Sequence, residues 1–76
     1  MVEIGGKIYI DSQELVAWMG VSYHAVVAWR RWYDIPRKMY GGRWFYPVLK
    51  VRDFFIDWKG VDPGYPEGYL EESEEE

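Results

Sequence analysis

The side chains with chemistry to offer are basic, and they gather in one stretch. Arg30 and Arg31 follow His24 at near-helical spacing, and Arg37, Lys38 and Arg43 come within the next twelve residues. A guanidinium presents a planar fork of donors that pairs with phosphate or with the edge of guanine, whereas a lysine ammonium acts as a compact point charge. Such a run suits an anionic polymer. Catalytic chemistry has no comparable footing. His24 is the only histidine, it has no nucleophile or carboxylate at a suggestive spacing, and no glycine-rich phosphate loop precedes a helix. With no cysteine in the chain, neither a disulfide nor a thiolate zinc site is available. The expectation is therefore no enzyme, no catalytic residue, no metal, no cofactor and no small-molecule substrate.

Positioning the basic residues falls to two helices and a turn. Asp11 followed three residues later by Glu14 matches a capping box and predicts a helix over 12–19, with Leu15, Val16, Trp18 and Met19 apolar at helical spacing. Gly20 supplies a left-handed stop, Val21 plugs the corner, and Ser22 caps a second helix over 23–33. Turning about 100° per residue puts Ala25, Val26, Trp29 and Tyr33 on its inner side. His24, Val27, Ala28 and Arg31 fall on the outer side, with Tyr23 and Arg30 at its edge. Small Ala28 and modest Val27 permit close approach to base edges, and Val27 can meet a thymine methyl. Arg30 and Arg31 suit guanine or phosphate equally.

Proline at position 36 forces the preceding residue extended and ends that helix. Gly41-Gly42 between two aromatic-rich runs then predicts a hairpin over 37–46 that carries Arg37, Lys38 and Arg43. Two roles suit it: a wing laid on phosphates or in a minor groove, and an ordinary hairpin completing a small sheet with an amino-terminal strand. Residues 4–10 read as a short extended lead-in with Ile8 and Ile10 on one face. Pro47 opens a last helix over 48–58 that turns Leu49, Val51, Phe54, Phe55 and Trp58 inward. Its charges, Arg52 among them, are mixed in sign and read as a solvated face.

A length of 76 residues fits one domain, and a core this small must be dense; aromatics at 20% of the chain can supply that density. The net charge of -4 argues at first against a polyanion, but the charges are segregated. Residues 1–59 hold nine basic and six acidic side chains, a balance of +3, and residues 60–76 hold seven acids and no base. The division expected is a mildly basic domain over 1–59 and a flexible acidic tail over 60–76, in which Tyr65, Tyr69 and Leu70 dock at most locally. The tail is expected to give solubility or a partner contact rather than to fold back on the basic face, because flexible charge is screened beyond about 8 Å at physiological salt. There is no long uninterrupted apolar run and no leader-like start, so a cytoplasmic protein is expected, in the host cytoplasm if the source is viral.

The run Tyr9-Ile10-Asp11-Ser12-Gln13-Glu14-Leu15-Val16-Ala17-Trp18-Met19-Gly20-Val21-Ser22 is followed by Val26 and Trp29, then Ile35-Pro36, Gly41-Gly42-Arg43 and Val51-Arg52-Asp53-Phe54-Phe55. In order and spacing it resembles the winged helix-turn-helix of the excisionase and MerR-like group, and it is similar also to the DNA-binding domain of phage small terminase subunits. The resemblance implies a mainly α fold of three helices plus short strands with a small β-hairpin wing. It implies double-stranded DNA as partner, with the second helix in the major groove through His24, Val27, Arg30 and Arg31, and the wing touching the backbone or minor groove through Lys38 and Arg43. Together with the reading of the faces, the expected DNA-binding set is Tyr23, His24, Val27, Ala28, Arg30, Arg31, Arg37, Lys38 and Arg43. The function expected is an excisionase-like architectural factor of a phage or mobile element, or a transcriptional regulator, gaining affinity by self-association on adjacent sites or from a larger protein partner met through the acidic tail. The alternatives are the DNA-recognition subunit of a packaging terminase, and a protein-interaction or DNA-mimic module using the tail and exposed aromatics, for which Trp32, Tyr40, Trp44 and Tyr46 are the candidates.

Overall fold

The computed structural model describes residues 1–69. Its elements are β1 (Val2–Ile4), β2 (Lys7–Ile10), α1 (Ser12–Met19), α2 (Tyr23–Trp32), β3 (Lys38–Tyr40), β4 (Arg43–Pro47) and α3 (Val48–Lys59). The strands form one antiparallel sheet in the order β1-β2-β4-β3. Three helices on a curled four-stranded sheet make the fold less helical than the mainly α expectation. The hairpin is no isolated appendage, because β4 pairs with β2 through Tyr9 opposite Pro47 and Ile10 opposite Tyr46.

The expected single lead-in over 4–10 is also a hairpin. Gly5 and Gly6 have φ of 61° and 83°, and Gly41 and Gly42 have 56° and 79°. Positive φ at both central residues is what a two-residue primed turn requires, and its twist matches that of the strands it joins. The same dipeptide thus folds the chain back twice.

The helix boundaries follow local chemistry. The Glu14 amide donates to Asp11 Oδ1 at 2.8 Å and the Asp11 amide to Glu14 Oε1 at 3.0 Å, completing the capping box of α1. Gly20 ends α1 in the left-handed conformation, and Ser22 Oγ accepts from the Ala25 amide at the start of α2. The end of α2 differs from the reading that assigned it to Pro36. Asp34 has φ 55°, and the Ile35 amide donates back to the Trp29 carbonyl at 3.3 Å. A left-handed residue followed by a backward bond closes the helix, and Asp tolerates that conformation better than most side chains. The closure drops Ile35 into the core, where it is fully buried.

Every layer contributes to that core: Ile10 from β2, Leu15 from α1, Val26 from α2, Tyr46 from β4, and Val48, Val51 and Phe55 from α3. An aromatic cluster extends it along the helices. Phe55 meets Trp29 edge-on at 4.9 Å and lies 5.6 Å from Trp58, and Tyr33 rests on Trp58 at 4.7 Å. Tyr33 is nonetheless half exposed, so the inner face of α2 stops at Trp29.

Residues 60–69, expected to begin a flexible tail, are instead held against α1 and α3. Arg52 grips Asp62 with both carboxylate oxygens at 2.8 Å, donates through Nε to the Gly64 carbonyl at 2.9 Å, and covers the Tyr65 ring at 4.4 Å. Trp18 Nε1 donates to the Pro63 carbonyl at 3.2 Å, and Pro66 is buried. Arg52 is therefore no member of a solvated face. The expected docking of Leu70 and the acidic run over 71–76 fall outside the described residues.

The Gly64 amide first, and then the Arg52 guanidinium, hold the Asp62 carboxyl below the usual carboxylate range. A carboxyl lowered by folding stabilises fully above its unfolded value of about 3.9 and loses that contribution as pH falls through the depressed value. Residues 61–66 are accordingly expected to detach in acid before the core melts, with Trp18 fluorescence and the Gly64 amide shift moving together. Asp62→Asn should give the same signals at neutral pH. An acid titration in which Trp18 changes only with global unfolding would exclude this.

Candidate functional site

The outer stripe of α2 carries exposed polar side chains at both ends. His24 and Arg31 are exposed and lie seven residues apart, hence within about 20° of each other around the helix. Val27 and Ala28 sit between them, half-buried. Tyr23 is half exposed at the amino-terminal end of the stripe, and Trp32, 72% exposed, stands at the other end. No hydrogen bond or ion pair engages His24 or Arg31 among the described residues.

Beside the stripe lies a cleft of about 390 Å³ between the start of α1, the start of α2 and the tip of the β3-β4 hairpin. Asp11, Ser12 and Gln13 form one wall, Gly42, Arg43 and Trp44 the other, and Tyr23 its end. Ser12, Gln13 and Asp11 were not among the candidates from sequence, since the capping role of Asp11 accounted for that segment. Arg43 Nη2 donates to Asp11 Oδ2 at 3.3 Å while the other Asp11 oxygen caps α1. Arg43 remains 64% exposed, and an exposed pair of this kind contributes only about 0–1 kcal/mol. Its guanidinium is thus free to exchange Asp11 for a phosphate at little cost.

Two other arginines are committed. Arg30 Nη1 donates to the Tyr46 hydroxyl at 2.9 Å, that hydroxyl lies 3.0 Å from Ser12 Oγ, and the guanidinium stands 5.9 Å from the centre of the Trp44 ring. One chain of polar contacts thus joins α2, β4 and α1. Partial burial pulls the Arg30 pKa down, but the hydrogen bonds to Tyr46 and Tyr23 outweigh it and raise the net value, so the group stays charged throughout the accessible pH range. Arg37 Nη1 donates to Asp34 Oδ1 and to the Ile35 carbonyl, both at 2.9 Å, and its guanidinium stacks on Trp44 at 5.0 Å. These two arginines fix the angle between α2 and the hairpin.

Strand register separates the remaining hairpin cation from this cleft. Met39 faces Trp44 and Lys38 faces Phe45. Trp44 shares its face of β4 with Tyr46, which is turned to the helices, so alternation puts Lys38 and Arg43 on the opposite face; Arg43, at the tip of the hairpin, reaches round to Asp11 at the cleft, whereas Lys38 does not line it. Of the expected set, His24, Val27, Ala28 and Arg31 share the outer stripe of α2, and Tyr23 and Arg43 line the cleft at its amino-terminal end. Arg30 and Arg37 brace it from behind, and Lys38 lies across the sheet.

The aromatic anchors considered for a protein contact are mostly spent inside. Tyr46 is fully buried, and Trp44 and Tyr40 are half-buried against arginine and ring neighbours. Among the described residues no group of His, Cys, Asp and Glu could hold a metal ion, and no helix is long and apolar enough to cross a membrane.

No protein-family model, curated protein or solved structure matches this chain.

Proposed function

We propose that this is a double-stranded DNA-binding domain of the winged helix-turn-helix type, with α2 entering the major groove and the β3-β4 hairpin serving as the wing. The observation that carries the reading is the exposed outer stripe of α2, with His24 and Arg31 unpaired among the described residues, beside a cleft in which Tyr23 of the same helix meets the weakly held Arg43 of the hairpin. Val27 and Ala28 leave the α2 stripe low enough for a groove about 12 Å wide, and Arg43 lies where a flanking phosphate would run. The Arg30–Tyr46–Ser12 contacts hold the reading helix and wing in one geometry, so little ordering is left to be done on binding.

A module of this size covers about 600–1,000 Å² on DNA. Useful affinity then requires several copies on adjacent sites or a protein partner, which suits an architectural factor of the excisionase kind or a regulator binding repeated sites. Trp32, the most exposed large apolar side chain among the described residues, favours a contact with a neighbouring protein beside the bound helix, as in a packaging subunit.

The deciding experiment titrates the full chain with a mixed-sequence duplex at two salt concentrations. Binding should tighten at low salt, with a log–log slope of about -0.9 per phosphate contacted. No binding at about 100 µM protein in low salt, where non-specific complexes of DNA-binding domains are populated, would exclude the DNA reading.

A further inference from the structure

The face of the sheet turned away from α2 carries a feature that the proposed DNA surface leaves unused. Lys7 on β2, Lys38 on β3 and Lys50 in the first turn of α3 converge on a pocket of about 240 Å³, with Tyr9, Pro36, Arg37 and Pro47 as the other lining residues. Three separate elements thus deliver ammonium groups to one place, and no acidic side chain lines it. None of the three lysines has an ion-pair partner among the described residues.

The floor explains why the cations stay together. Tyr9 is 4% exposed although it points away from the core, and Tyr40 meets it edge-on at 5.9 Å. Alternation along β2 sends Ile8 and Ile10 to the helices and Lys7 and Tyr9 to this side. Lysine stems laid over an aromatic and two prolines bury methylenes while their ammonium groups remain in water. Like charges gathered in this way repel one another, and a multivalent anion relieves the repulsion.

We infer that this pocket is a second phosphate-binding site, taking the phosphodiester backbone of a DNA segment other than the one under α2. The choice of DNA as the source of the phosphate rests on the function proposed above; the phosphate chemistry rests on the pocket alone. Three ammonium point charges from separate elements suit a phosphate chain, whose successive groups each offer acceptor oxygens to a lysine without the planar pairing of an arginine fork, and the arginine that lines the pocket is already bonded to Asp34 and Ile35. A domain with cations on both faces of its sheet can hold two duplex segments, or the two arms of one bent duplex.

The test uses the full chain, a Lys7→Ala/Lys50→Ala double variant, and Arg31→Ala. Neither Lys7 nor Lys50 belongs to the proposed α2 surface, and both are exposed, so the double variant should keep the parent's circular dichroism. One readout is capture of a second labelled duplex by protein already bound to an immobilised duplex; the other is the amide shifts of residues 7, 9 and 50 on adding inorganic phosphate or duplex. The lysine variant should lose capture by about tenfold or more, as expected for removing two phosphate contacts, while its affinity for the first duplex changes much less. The amides of residues 7, 9 and 50 should respond more strongly to duplex than to inorganic phosphate. Unchanged capture by the lysine variant would overturn the inference. So would shifts at these amides on removal of residues 70–76 with none on adding DNA, because the pocket would then belong to the chain's own glutamates. If Arg31→Ala leaves binding of the first duplex intact while the lysine variant abolishes it, the α2 reading fails and the pocket stands.

Discussion

Phe55→Ala is expected to leave the domain largely unfolded at 37 °C. Phe55 is 6% exposed and sits where α3 meets α2, with Trp29, Phe54 and Trp58 all within ring-contact distance. Truncating a buried phenylalanine costs about 3–5 kcal/mol, because the lost transfer energy is joined by a cavity that neighbours fill only in part. At about 0.05–0.15 kcal/mol per residue, a domain of this size has roughly 4–11 kcal/mol in total. The loss is therefore comparable with the whole stability. Surrounding aromatics are large and stiff, which limits collapse into the hole and puts the expected cost in the upper part of the range. Urea unfolding followed by near-ultraviolet circular dichroism checks this, with Phe55→Leu as the control that restores most of the volume. A cost for Phe55→Ala below about 1 kcal/mol, typical of surface substitutions rather than core ones, would mean that the aromatic cluster is not part of the cooperative core.

The elements that were legible in the sequence are those closed by neighbours in the chain. Asp11 with Glu14, Gly20, and Ser22 each act within one helical turn, and so both helix starts and the turn between α1 and α2 fall where spacing puts them. Gly41-Gly42 was readable for the same reason. Gly5-Gly6 carries an identical signal, but the residues before it, Val2-Glu3-Ile4, hold none of the aromatics that marked the runs on either side of Gly41-Gly42. Pairings over a distance left no such trace. Nothing around Arg52 points to Asp62 and Gly64, and its place among mixed charges suggested solvent. Arg30 and Arg31 are adjacent and alike in sequence; only the fold assigns one to Tyr46 and Trp44 and leaves the other open. The alternation in β4, with Trp44 and Tyr46 on one face and Arg43 and Phe45 on the other, was the one available hint that the two aromatics turn inward.

That difference between adjacent arginines gives the second large effect. Arg31→Ala should weaken binding at a preferred site by about 1–3 kcal/mol if the guanidinium reads a base, roughly five- to 150-fold in Kd. The fold should be untouched, since Arg31 is exposed and unpaired among the described residues. Arg30→Ala makes the informative contrast. It removes the donor to Tyr46 and the cation beside Trp44, so its loss of affinity should come with a loss of thermal stability and a loosened hairpin. Site selection from a random duplex pool, repeated with each variant, separates the two ways Arg31 can act. Relaxed preference at one position of the site marks base readout, whereas an equal loss on all sequences with a salt slope reduced by about one marks a phosphate contact. Both results keep α2 on the DNA. If Arg31→Ala binds as tightly as the parent on every duplex and at every salt concentration, α2 is not the reading helix, and the contact passes to Arg43 and the hairpin.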